Sequence, residues 1–326
     1  MGPEWDAPEA AAARERSRAA LAPLAANRGP EAGPCGLEGR IVVAAAAAGG
    51  AAPAVRVRVR APAGGEAVQL LCRDGQRRYA TRLAGHSHPH LDFELRGVRF
   101  GRCKLLHAQL LLRAKALAPE EPVLLLSDAP LARDVALLAD AAPPGKRAAL
   151  VARLGVLLEQ YDGLGWAVGA EPEAAGPRLD AFAQDAEGLL RMACLAGLPQ
   201  LTSQLMSILE HLHLAYNAPA ASPRGVVLAA AASASPAMLD VLASFKRTSD
   251  LWRGLDAKER GENGVTPFHV AVLGRGGEEA TLRKLLGWEG FDTQLLSRLQ
   301  TKDGLSPADY ARMAGKPHLL RSLASR

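Results

Sequence analysis

Two stretches forty residues apart constrain this chain more than anything else in it: NGVTPFHVAVLG at Asn263–Gly274 and DGLSPADYARMAG at Asp303–Gly315. Each places a polar turn before Thr-Pro or Ser-Pro, followed by a run of small and apolar residues. A Thr or Ser hydroxyl at an N-cap accepts from an orphan N–H of the first helical turn. Pro at the next position has no N–H to lose, and its φ is already helical. Both stretches therefore predict helix starts, capped by Thr266 and Ser306 and opened by Pro267 and Pro307. Leu282, Leu285 and Leu286 then supply the inner stripe of a second helix.

Two weaker copies precede them, AEGLLRMACLAGLPQLTSQLMSIL and RGVVLAAAASASPAMLDVLASF. With Ala193, Ala230, Ala271 and Ala311 taken as equivalent, the spacings are 37, 41 and 40. A helix pair repeating every 33 to roughly 47 residues is the signature of a stacked array, in which each pair buries its apolar face against the next.

The rest of the 326 residues reads differently. From 40 to 128 the apolar period falls to two. VRVRVR alternates strictly, AVQLLC and QRRYATRL flank an Asp74-Gly75 turn, LDFELRGV alternates again, and PVLLLSD is a short buried strand. Short strands between turn signals predict a small antiparallel β-sandwich. Residues 1–39 read as a disordered or solvated-helix tail, 129–178 as a helical linker and 179–326 as the repeats. The fold class is α+β multidomain: a β-sandwich followed by an α-helical array.

Composition narrows the setting. Apolar residues make up 48% of the chain but aromatics only 4%. Much of the apolar share is alanine, which predicts a loosely filled core. Four scattered cysteines, Cys35, Cys72, Cys103 and Cys194, form no C-x-x-C pair and suit a reducing compartment. The acidic N-terminus has no apolar signal region, and IVVAAAAAGGAAPAV is too short and broken to span a bilayer. A soluble cytoplasmic or nuclear protein is expected.

The Thr-Pro-Phe-His-x-Ala stretch resembles the T-P-L-H-x-A signature of ankyrin repeats. That resemblance implies structural roles for Thr266, Pro267, His269, Ala271, Ser306, Pro307 and Tyr310. His269 is implied to hydrogen-bond within the inter-repeat turn, with Phe268 plugging the gap between repeats. Asp309 takes the His position in the last unit. In chain order, LLCRDGQRRYATR, PVLLLSDAPLARDVALL and the two terminal repeats resemble the C-terminal half of the squamosa promoter-binding-like (SBP-box) plant and green-algal transcription factors. The resemblance covers residues 41–326. It implies transcription regulation in the nucleus through protein contacts. The zinc-binding module that carries that family's DNA binding has no counterpart in this sequence, so direct sequence-specific DNA binding is not expected. A general ankyrin scaffold unrelated to transcription is the alternative.

Other constellations point less far. His86, His88 and His90 would share one face of a strand and are the candidate zinc or copper ligands, although Gly85 and Pro89 favour a loop. Arg56, Arg58, Arg60, Arg73, Arg77, Arg78 and Arg82 would either gather for phosphate contact or form a solvated sheet face. Phosphate-loop, nucleophile-elbow and zincin motifs are absent from the sequence. No enzyme activity, cofactor or small-molecule substrate is expected. Repeat geometry nominates Asn263, Val265, Arg275, Thr301, Lys302 and Leu305 as protein-partner contacts.

Overall fold

The computed structural model describes residues 41–43, 55–60, 68–74, 77–87, 90–96, 103–112, 115–116, 121–164, 176–216, 224–274 and 276–324. The tail read over 1–39 lies outside them. The chain divides into two compact units, one within Arg14–Ala170 and one taking in Glu171–Arg326.

In the first unit the period-2 segments form β1 (Ile41–Val43), β2 (Val55–Arg60), β3 (Val68–Asp74), β4 (Arg77–Ser87), β5 (His90–Arg96), β6 (Cys103–Leu112), β7 (Lys115–Ala116) and β8 (Glu121–Leu126). They pair in the order β1-β8-β6-β3-β4-β5-β2, with β7 on β6. β3 and β4 pair antiparallel, with Asp74 opposite Arg77. One difference from the antiparallel expectation is β1, which runs parallel to β8.

β4 changes partner midway. Its start pairs with Cys72–Asp74 of β3, and from Ala80 onward it pairs with β5. A strand shared in this way turns a sheet through a corner. Where it departs, the Leu70 carbonyl lies beyond the last β3–β4 pair, and Thr81 Oγ1 donates to it at 2.5 Å. Both sides of the corner share one core. Val57, Phe93 and Leu95 of β2 and β5 cluster with Leu70, Cys72, Leu106, Ala108, Val123 and Leu125 of β3, β6 and β8.

Among the described residues, two helices follow the strands in this unit: α1 (Ala129–Ala141) and α2 (Pro144–Leu164). Asp128 caps α1, its Oδ1 accepting from Leu131 N at 2.7 Å. α2 packs against β6 and β8. Val123 and Leu125 belong to the core, while their neighbours Leu124 and Leu126 are buried as well. A strand covered on both faces reads as a continuous apolar run, which explains PVLLL. At the rim, Lys104 Nζ bonds Asp74 at 2.6 Å and Glu159 of α2 at 2.8 Å. Burial alone would lower the lysine's pKa, but these two carboxylates hold it at about 12. Residues 129–164, read from sequence as part of a linker, thus pack with the sheet.

The second unit stacks helix pairs: α3 (Gly176–Ala196) with α4 (Pro199–Tyr216), α5 (Val226–Ala232) with α6 (Pro236–Thr248), α7 (Pro267–Leu273) with α8 (Glu278–Leu286), and α9 (Pro307–Met313) with α10 (Leu320–Ala324). The first helices contact one another in sequence, α3 to α5 to α7 to α9, and the second helices likewise from α4 to α10. Ala193, Ala230, Ala271 and Ala311 all have 0% exposure. A larger side chain there would push the layers apart, which is why small residues recur at that spacing. Together the units form a mixed helix-and-sheet, α+β protein. Among the described residues, no helix is long and apolar enough to cross a membrane.

Candidate functional site

A dense polar arrangement sits where the third and fourth helix pairs meet. Thr266 and Ser306 each precede a Pro-opened helix and close a capping box with the residue three positions on. In the third pair that residue is His269, whose Nδ1 accepts from Thr266 N at 3.2 Å and lies 2.8 Å from Thr266 Oγ1. Because Nδ1 accepts a backbone N–H, the ring proton is on Nε2, which donates to the Leu305 carbonyl of the fourth pair at 3.0 Å. Burial lowers the imidazole's pKa below 6.5; Arg260 reinforces this, while the Leu305 carbonyl and Asp309 oppose it. Tyr310 meets the ring edge-on, with centroids 4.9 Å apart.

In the fourth pair Asp309 takes the place of the histidine. Its Oδ2 accepts from Ser306 N at 2.9 Å and from Ser306 Oγ at 2.6 Å, and Arg312 bonds its other oxygen at 2.6 Å. The Ser306 hydroxyl leads these interactions in holding the carboxyl below the usual 3.8.

The turn tips carry the nominated partner contacts. Asn263 is exposed and left-handed at φ 56, followed by Gly264 at φ 73. Its carbonyl accepts from the backbone N–H of exposed Lys302 at 2.8 Å, so neighbouring tips are joined through their main chains. Val265 and Leu305 are half-buried. Arg275 lies outside the described residues. Thr301 departs from expectation, with only 6% exposure. Its N–H donates to the Leu305 carbonyl at 3.0 Å, and its hydroxyl accepts from Leu305 N at 3.2 Å. It pins the turn and presents little surface to a partner. Pro267, Ala271 and Pro307 are buried. Phe268 is buried too and stacks obliquely on Phe291 at 4.7 Å.

Three further groups were not singled out from sequence. Lys316 Nζ reaches back from the fourth pair to Glu278 Oε1 at 2.6 Å and to the carbonyls of Val272 and Gly274. Glu259 accepts from Gly225 N at 2.8 Å and from Leu228 N, at the start of α5. The Gly276-Gly277 turn presses on Ala234 of the pair before it. They join positions 31 to 44 residues apart, and no local pattern marks such a pairing.

In the sheet unit, His86 and His90 fall at one end of the β4–β5 ladder, where His90 pairs with Ser87 and His86 with Leu91. His88 lies outside the described residues. Among the described residues, no three His, Cys, Asp or Glu side chains gather as metal ligands would. Cys72, a possible further ligand by sequence, is in the core with its thiol pushed up to about 12 by burial. The arginines divide by register. Arg56 is opposite Glu94, which is opposite Arg82, and Arg58 is opposite Asp92. Arg73 by contrast lies between Arg78 and His107. Across β2, β5 and β4 arginine and carboxylate positions thus alternate in register, the favourable cross-strand arrangement.

No family model matches this chain, and the search of curated proteins finds no significant match.

Proposed function

We propose that this chain is a non-catalytic protein-interaction and regulatory module, a β-sandwich followed by an ankyrin-like array. In this reading it is related to the C-terminal region of the squamosa promoter-binding-like regulators and acts in the nucleus through protein contacts. The observation that carries the reading is the placement of Thr266 and Ser306 as N-caps of the first helices of successive, mutually packed helix pairs. The single core fed from both sides of the β4 corner supports the sandwich half. Stacked pairs build an extended surface whose exposed tips select a partner. Asn263 and Lys302 are the exposed nominees at those tips.

The test is a fluorescent fusion of the full chain in a plant cell, paired with a second fusion to a DNA-binding domain of known specificity upstream of a reporter. Nuclear accumulation and altered reporter output are expected, with the output reduced by Asn263→Arg and Lys302→Glu together. Cytoplasmic residence without any reporter change would favour a scaffold unconnected with transcription.

A further inference from the structure

We propose that the outward face of β3 and β6 is a docking site for a phosphorylated segment of a partner protein, with Arg73, Arg78 and His107 holding the phosphate. The site belongs to the sheet unit and does not depend on the tips of the array.

Alternation along the strands fixes the face. Leu70 and Cys72 of β3 enter the core, as do Leu106, Ala108 and Leu110 of β6. Gln69, Leu71 and Arg73 of β3 and His107, Gln109 and Leu111 of β6 therefore lie on the opposite face. None of these six is fully buried: Gln69 and Arg73 are exposed and the other four half-buried. On β4, Tyr79 enters the same core, which leaves exposed Arg78 on the outward side.

Register then sets a row of like charge. Arg73 is directly opposite Arg78 on one side and His107 on the other. Pro122, next in register on β8, adds no charge. Asp74, next along β3, alternates away from the row and is bonded to Lys104 at 2.6 Å. Like charges directly opposite one another destabilise a sheet. The β2–β5–β4 side is built the other way, with Glu94 between Arg56 and Arg82 and Asp92 opposite Arg58.

A bridging dianion reverses the sign of that row. A phosphorylated side chain carries a charge of about −1.5 to −2 and three acceptor oxygens. Each guanidinium offers a planar fork of donors, and an imidazole keeps at least one N–H donor in either protonation state. Neighbouring strands lie about 4.8 Å apart, so three strands place the row across ~10 Å. That width fits one phosphate group.

The rows beside it decide the class of partner. Leu71 is opposite Gln109, and Gln69 is opposite Leu111, so neither row carries charge. Apolar contacts and side-chain amides suit the residues that flank a phosphoserine in an extended peptide. The further phosphates of a nucleic acid would meet no counter-charge there.

The test is fluorescence anisotropy on the full chain at low salt. The probe is a labelled peptide pool with one fixed phosphoserine among randomised neighbours, set against its unphosphorylated twin. Binding of the phosphorylated pool alone is expected. Arg73→Gln and Arg78→Gln should each weaken it by about tenfold or more, the scale of a lost hydrogen bond to a charged group. Arg82→Gln, which removes the same charge from an exposed position outside the row, should leave it unchanged. If Arg73→Gln does not fold, Arg78→Gln decides alone. The proposal is overturned if the phosphorylated pool does not bind or if its twin binds equally. It is also overturned if Arg82→Gln causes the same loss, or if a single-stranded oligonucleotide binds more tightly and is released by the same variants.

Discussion

Glu259 caps a helix whose N-cap residue, Gly225, lies 34 residues before it: its carboxylate accepts from the Gly225 N–H at 2.8 Å and from the Leu228 N–H. Gly225 is left-handed at φ 80 and offers no side chain, so α5 lacks the Thr-Pro opening of the third pair. A carboxylate from the following connection does the work of that cap. Burial raises its pKa above 4.5, and the backbone donors pull in the opposite direction. Glu259→Ala leaves these donors short of an acceptor and should cost about 1–3 kcal/mol. Glu259→Gln, which keeps one acceptor oxygen, should cost less. Urea unfolding with an unchanged m-value checks both; equal midpoints for wild type and Ala would remove the cap from the account.

Gly277 of the third pair lies close against Ala234 of the second. Its φ is +80, and a Cβ built there would lie 2.5 Å from the Ala234 backbone oxygen. A flexible side chain can yield to such a clash, but a carbonyl inside a packed turn cannot. Gly277→Ala should therefore destabilise the array by more than the ~1 kcal/mol penalty for a left-handed non-glycine residue alone. Gly276, also at positive φ with open space around it, is the matched control, and Gly276→Ala should show only that smaller penalty. Thermal melts of the two variants distinguish clash from conformation.

These two positions show what the sequence reveals and what it hides. Thr266-Pro267 and Ser306-Pro307 are legible because capping is local: hydroxyl, proline and helix lie within four residues. The four buried alanines are legible because stacking repeats the same steric demand at each layer. The Glu259–Gly225 bond carries no such signal, since its partners are set by how one pair settles on the next. Thr301 was misplaced for the same reason. In sequence it is a polar turn residue, and only the return of Leu305 onto it makes it buried. The docking of α2 on β8 was half legible: Leu124-Leu125-Leu126 forecast a buried strand but not what provides the cover.

Lys316 ties the fourth pair to the third through two carbonyls and a carboxylate. The side chains of Lys316 and Glu278 are only 22% and 15% exposed. Lys316→Met preserves most of the packing stem but removes every donor, and should cost about 1–3 kcal/mol near neutral pH. The pH dependence has a fixed sign. Glu278 is held below 4.5 in the native state, so its contribution is present above 4.5 and is lost as pH falls through its native value. Part of the acid destabilisation of the wild type should therefore be missing from Lys316→Met. Denaturation midpoints at neutral and acid pH test this; parallel acid slopes would assign the effect to other carboxylates.

Gly155 and Leu105 set how closely α2 approaches β6. A Cβ at Gly155 would fall 2.7 Å from Leu105 Cδ1 and 3.2 Å from its Cβ. Ala is the better helix former by ~1 kcal/mol. Pressing α2 off a strand whose Leu105 is 7% exposed costs about 1–3 kcal/mol through overpacking. The clash should prevail, and Gly155→Ala alone should lower stability. Leu105→Val, which removes the clashing Cδ1, should also destabilise alone through the lost contact. Combined, the two changes should be less harmful than the sum of the single effects, because each relieves the defect left by the other. A double-mutant cycle reads that coupling directly, and strict additivity would show that Gly155 does not set the helix–strand distance.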